Sequence, residues 1–261
     1  MRSRVLAALL LATLFVSTDF ARADERLDEA VRKLEKGDVA AARAELEALA
    51  KERPADAMVY YHLGSACVLA NDFSAAKKAF ERTVKLDPGN MEARRVLASL
   101  LSREGKHEAA AKQLEPVVQA SPGDAKLIAE LGTEYARAAQ AARQSGGKHR
   151  ECAEKAIACY RKLLDADPEF APALYNIGTM QSLLERWEEA EATLASYVEK
   201  KPEDLAGLYN LAVAREHACP AERAIETWQV FIAKAKADPK FKRDVPFAER
   251  RIKALKAAKK S

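Results

Sequence analysis

A chain of 261 residues is long enough for one large domain or an elongated array, and 49% hydrophobic with 31% charged residues is a globular balance. The formal net charge is +4, and the remainder is close to neutral once the arginines of the first segment are set aside, which argues against nucleic acid as a partner. The basic tail KALKAAKKS reads as a solvated helix end.

The first 23 residues, MRSRVLAALLLATLFVSTDFARA, carry Arg2 and Arg4, then an apolar run from Val5 to Val16, then Ala21-Arg22-Ala23. That order is a secretory signal with a small-x-small cleavage site, and the run is shorter than a membrane span requires. An uncleaved anchor is the competing reading. The expectation is an exported protein, periplasmic or secreted, with no stable membrane insertion after cleavage.

From residue 24 on, amphipathic segments come in pairs. The units fall near 24–56, 57–90, 91–124, 125–170, 171–204 and 205–240. Short turns divide each pair: KGDV at 36–39, ANDF at 70–73, REGK at 103–106, LERW at 184–187 and HACP at 217–220. The fourth unit is longer by 12 residues around ARAAQAARQSGGKHREC, where Ser145-Gly146-Gly147 breaks the helical pattern. Such an insertion lengthens both helices around a loop, and serves either neutral drift or binding. The last pair ends in a long helix, IETWQVFIAKAKAD, and PKFKRDVPF then turns the chain. Residues 241–261 close it with a capping helix carrying Phe247, Ile252 and Leu255, and a basic tail.

The pairs repeat. Pro54, Pro88 and Pro122 stand 34 residues apart, as do Pro168 and Pro202. Ala42, Ala76, Ala110, Ala156, Ala190 and Ala224 keep one register, and Leu46, Phe80, Leu114, Tyr160, Leu194 and Trp228 follow four residues on. A small residue lets two helices approach, and the large one fills the gap that remains. One hairpin alone buries too little apolar surface, so the hairpins must stack. This pattern resembles the tetratricopeptide repeat family over nearly the whole chain after the leader. The resemblance implies an all-α, right-handed superhelical solenoid of antiparallel helix hairpins. Arg94, Ile128 and Arg26 depart from the aromatic that Tyr60 supplies early in the second unit.

No catalytic constellation appears. His62, His107, His149 and His217 lie in different units without a metal-binding spacing, and Gly146-Gly147 has neither the strand nor the Lys-Ser or Lys-Thr of a phosphate loop. The chain is expected to be no enzyme and to need no cofactor or metal. Cys152 and Cys159 are seven residues apart on one helix, roughly 10 Å along its axis, too far to bridge directly. Cys67 reads as core. Free buried thiols and a bridge involving Cys219 both stay open.

The family resemblance implies that first helices line a concave partner-binding groove. Its positions fall on Tyr61 and Ser65, Arg95 and Ser99, Thr133 and Arg137, Tyr175 and Thr179, and Tyr209. Met58, Glu92 and Glu216 occupy neighbouring groove positions. Tyr61, Tyr175 and Tyr209 share one register, and tyrosine offers broad apolar contact with a polar handle. Packing between successive first helices is the competing use. The Lys, Arg and Asn set with which some family members grip a peptide carboxylate is replaced here by Tyr61, Arg95, Ala129, Ser65, Ser99 and Thr133, so that function does not carry over.

The leading expectation is a non-catalytic scaffold or assembly factor that binds a partner peptide or helix. One alternative is an accessory subunit of an envelope export or cell-wall complex that binds polysaccharide or an enzyme. Another is a self-associating structural protein.

Overall fold

Aspartate and asparagine side chains cap several of the helix starts. In the computed structural model, which describes residues 24–144 and 149–258, every regular element is α-helix. The leader at 1–23 and the Ser145-Gly146-Gly147 break lie outside the described residues. The chain divides into two compact units, one ending at Gly105 and the other starting at Lys106.

The first unit holds α1 (24–35), α2 (Val39–Glu52), α3 (Ala57–Leu69), α4 (Phe73–Leu86) and α5 (Met91–Arg103). The second holds α6 (His107–Ala120), α7 (Ala125–Gln144), α8 (His149–Ala166), α9 (Ala171–Leu183), α10 (Trp187–Lys200), α11 (Leu205–Ala218), α12 (Ala221–Ala235) and α13 (Val245–Ala258).

The first helix of a repeat starts at one register. Asp56 Oδ1 accepts from the Met58 amide at 2.9 Å, Asn90 Oδ1 from Ala93 at 2.9 Å, and Asp124 Oδ1 from Lys126 at 2.9 Å. Asp204 does the same for Ala206 and Gly207. These side chains satisfy amides that have no intrahelical acceptor. Phe170 holds that register before α9 and makes no such bond; there Pro172, in the first turn, has no amide to satisfy. The Asp-Pro pairs close the second helices. Asp87 Oδ1 accepts from Gly89 at 3.0 Å, Asp167 from Glu169 at 3.0 Å and Asp238 from Lys240 at 2.8 Å.

The core follows the repeat. The six register alanines, from Ala42 to Ala224, are all fully buried. Phe80 lies across Gly64, and a Cβ built there would meet its ring at 2.8 Å. Leu194 fills the same hole over Gly178, at 2.6 Å. Both contacts lie inside one hairpin, whereas Tyr197 reaches the next hairpin and crosses Gly207. Leu46 packs with Ala30 and Ala66 and so ties α1, α2 and α3 together. Leu194, Leu211 and Ala214 do the same for α10 and α11.

In the fourth pair the described part of the insertion is extra helix. Its members α7 and α8 have 20 and 18 residues, against 13 and 14 for α9 and α10. At the far end α13 packs on α12, with Val245 and Ala248 buried and Phe241, Ile252 and Leu255 against the Trp228 and Phe231 cluster. All four cysteines are free, and Cys67 is in the core. Burial pushes the Cys159 thiol up to about 11, so it stays protonated at neutral pH. Among the described residues no helix is long and apolar enough to cross a membrane.

Candidate partner-binding face

Helix α3, AMVYYHLGSACVL, contains no Asp, Glu, Lys or Arg. A helix that is apolar around its whole circumference belongs where every side is covered. This one is not. Val59, Gly64, Ala66 and Cys67 are buried, yet Met58 is 47% exposed and Leu69 is 56% exposed. The 3.6-residue period places Met58, Ser65 and Leu69 in one line along the helix, with Tyr61 beside it. The Tyr61 ring meets Phe80 edge-on at 5.9 Å and His62 at 5.2 Å. Its hydroxyl has no hydrogen-bond partner among the described residues. Burial, and then the Glu92 carboxylate, raise the pKa of this phenol, so it is a neutral donor at physiological pH. Ser65 Oγ donates to the Tyr61 carbonyl at 3.0 Å and is thereby used within its own helix. On α5, Arg95 and Ser99 are exposed, and Arg95 stands 3.8 Å from Glu92.

The other five groove positions are placed differently or are already engaged. Arg137 Nη1 donates to Glu134 at 3.1 Å, and Glu134 also meets His107 Nδ1 at 2.9 Å. Thr133 Oγ1 donates to the Ala129 carbonyl at 2.8 Å, and Thr179 Oγ1 to Asn176 at 2.8 Å. The Tyr175 hydroxyl accepts from Asn210 Nδ2 at 3.1 Å, and its ring lies 5.2 Å from Tyr197. Asn210 thus links two first helices, whereas Asn176 bonds Pro172 in its own turn. Tyr209 meets Trp228 edge-on at 5.1 Å and Phe231 at 5.6 Å, and Phe247 of α13 stacks on it at 6.0 Å. One register therefore holds three tyrosines in three situations: Tyr61 has a free hydroxyl, Tyr175 is a tie between repeats, and Tyr209 lies against the capping helix.

Glu216 has also been taken by the cap. Its side chain is 4% exposed, accepts from Trp228 Nε1 at 2.6 Å, and is gripped by the Arg251 guanidinium of α13. A polar set on α6, α7 and α8 is structural as well. The Tyr135 hydroxyl donates to Glu115, and Lys155 Nζ lies 3.4 Å from that hydroxyl and 3.5 Å from Glu115. Among the described residues no group of three or more His, Cys, Asp or Glu side chains stands where it would hold a metal ion.

Sequence reasoning passed over Leu69. The signal for it was the uncharged run of α3, which reads as core until the exposure of its outer line is known.

Comparison with known proteins agrees with the fold. Among curated proteins no relative matches. Several solved structures do. A MamA protein superposes with a TM-score of 0.55 at 18% identity, over 70% of this chain and 94% of its own. YrrB, a tetratricopeptide protein with an unusual peptide-binding site, gives 0.54 at 19% identity, over 70% of this chain and 89% of its own. The Naa15/Naa10 complex bound to HypK gives 0.66 at 16% identity, over 87% of this chain and 34% of the matched chain. The tetratricopeptide repeat model matches residues 27–73, 68–125 and 151–204, more than half of the sequence. The chain belongs to the tetratricopeptide repeat family.

Proposed function

We propose that the protein is a non-catalytic interaction scaffold that holds a partner peptide or amphipathic helix on the outer line of α3. One observation carries this reading: α3 has no charged side chain, and its exposed Met58 and Leu69 flank a tyrosine whose hydroxyl is unbonded among the described residues. An exposed apolar line of this kind marks a surface that another molecule covers. The partner supplies an apolar face and one acceptor for the Tyr61 hydroxyl. Arg95 and Ser99, exposed on α5, offer polar contacts in the same unit. That a protein of this fold, YrrB, has a peptide-binding site supports the class of function. The signal-like leader supports action outside the cytoplasm.

The test is capture of envelope partners by the chain from residue 24 on. Met58→Lys with Leu69→Lys should abolish capture and leave the melting temperature within a few degrees, because both side chains are exposed. Tyr61→Phe should weaken capture about threefold to tenfold, the worth of one hydrogen bond. Undiminished capture by the double variant would exclude α3 as the docking face. A cell-wall glycan that competes for the same line would favour the polysaccharide alternative.

A further inference from the structure

A second surface lies in the second unit, on its second helices. Helices α10 and α12 leave an open notch of about 350 Å³ between them, floored by Leu208 and Leu211 of α11. Its walls are Ala195 and Val198 on one side and Val230 on the other. Val230 is 46% exposed.

The repeat shows why the notch exists at this junction. The register of Ala195 is held by Glu47, Glu81, Glu115 and Arg161 in the preceding repeats. A long side chain there would fill the space that Ala195 leaves. The register of Val230 is held by Ala48, Arg82, Pro116, Lys162 and Ser196, so this outward position carries a branched aliphatic side chain only here.

Charge changes with shape. Glu199 and Glu226 stand on the rim. At the preceding junctions the same two registers hold Lys51 with Lys78, Lys85 with Lys112, Gln119 with Ala158 and Asp165 with Ala192, so two acids face each other across this junction and not across those. Both carboxylates are exposed, and among the described residues neither has an ion-pair or hydrogen-bond partner. The one cation lining the notch is already held, since Arg215 donates to Glu191 at 2.9 Å and to Thr227 Oγ1 at 2.8 Å.

The geometry points to a docking site for a basic peptide, with one aliphatic side chain seated on Leu208 and Leu211 and a Lys or Arg on each side reaching Glu199 and Glu226. An apolar anchor in a small pocket with opposite charges on its rim is how short peptides are selected. This site is independent of the α3 face, and the two can be separated by experiment.

The probe is the labelled pentapeptide Lys-Lys-Leu-Lys-Lys, followed by fluorescence anisotropy and by amide shifts of the labelled protein at low salt. Saturable binding in about the 0.1–1 mM range, with shifts on α10 and α12, is expected. Glu199→Lys with Glu226→Lys should weaken it at least about tenfold, as should Ala195→Trp, which fills the notch. The second route keeps the test open if one variant fails to fold. Met58→Lys should leave binding unchanged, which separates this site from the α3 face. Replacing the central Leu by Ser, or all Lys by Glu, should remove binding. Failure to saturate, equal binding of the Glu peptide, or insensitivity to both notch variants overturns the proposal. So does a concentration-dependent mass of the chain alone that Glu199→Lys with Glu226→Lys abolishes, because the occupant is then a second copy.

Discussion

The turn inside a hairpin shows how much one residue decides. Gly37, Asn71, Gly105 and Glu185 hold one register, and all four have positive φ, at 82°, 58°, 73° and 61°. Glycine has no Cβ to clash in that region, and asparagine tolerates it. Glutamate does neither, so Glu185 sits in a strained turn that its neighbours impose. The register ends at Cys219, where φ is −125°, because Pro220 forces the preceding residue into extended backbone. Glu185→Gly should therefore raise stability by about 0.5–1 kcal/mol, and Gly105→Ala should lower it by about 1 kcal/mol. Urea unfolding of both variants measures the two shifts. Equal effects of either sign would show that the turn conformation is not what limits them.

At the scale of an element, α13 is held by apolar packing and by one buried carboxylate. Tyr209, Trp228 and Phe231 lie against it, and Glu216 receives both Trp228 Nε1 and Arg251. Arg251→Ala leaves that carboxylate with a single donor. The expected loss is about 1–2 kcal/mol, less than for a fully buried pair because Arg251 is 41% exposed. Glu216→Gln with Arg251→Ala should recover part of the loss, since the uncompensated charge is gone; melting curves of the single and double variants decide it. The cap helix was legible in the sequence, since Phe247, Ile252 and Leu255 recur among charges at helical spacing. Its latch was not. Glu216 has the register of an open groove position, and only the fold brings Arg251, 35 residues away, onto it.

For the molecule as a whole, the sequence made the repeat legible because packing repeats: Ala76, Gly64 and Phe80 have the same neighbours in kind as Ala190, Gly178 and Leu194. Partner surfaces depend on departures from that pattern, and period alone says nothing of which departure is exposed. Tyr61, Tyr175 and Tyr209 look alike in sequence and differ only in what stands beside them. The same logic governs the end of the second unit. Stacked hairpins expose an apolar face wherever stacking stops, and α13 covers the last one. Ending the chain after Asp244 removes Val245, Phe247, Ala248, Ile252 and Leu255 from the Trp228 cluster and also strips Arg251 from Glu216. The truncated protein should melt at least about 5 °C lower. It should also show a mass that rises with concentration, because two bare ends can cover each other. Sedimentation over a concentration series of the full and truncated chains measures this. A truncated chain that stays monomeric with an unchanged melting point would mean that α13 is not the seal of this unit. A full-length chain that associates as strongly as the truncated one would locate the self-associating surface elsewhere, on an exposed line such as that of α3.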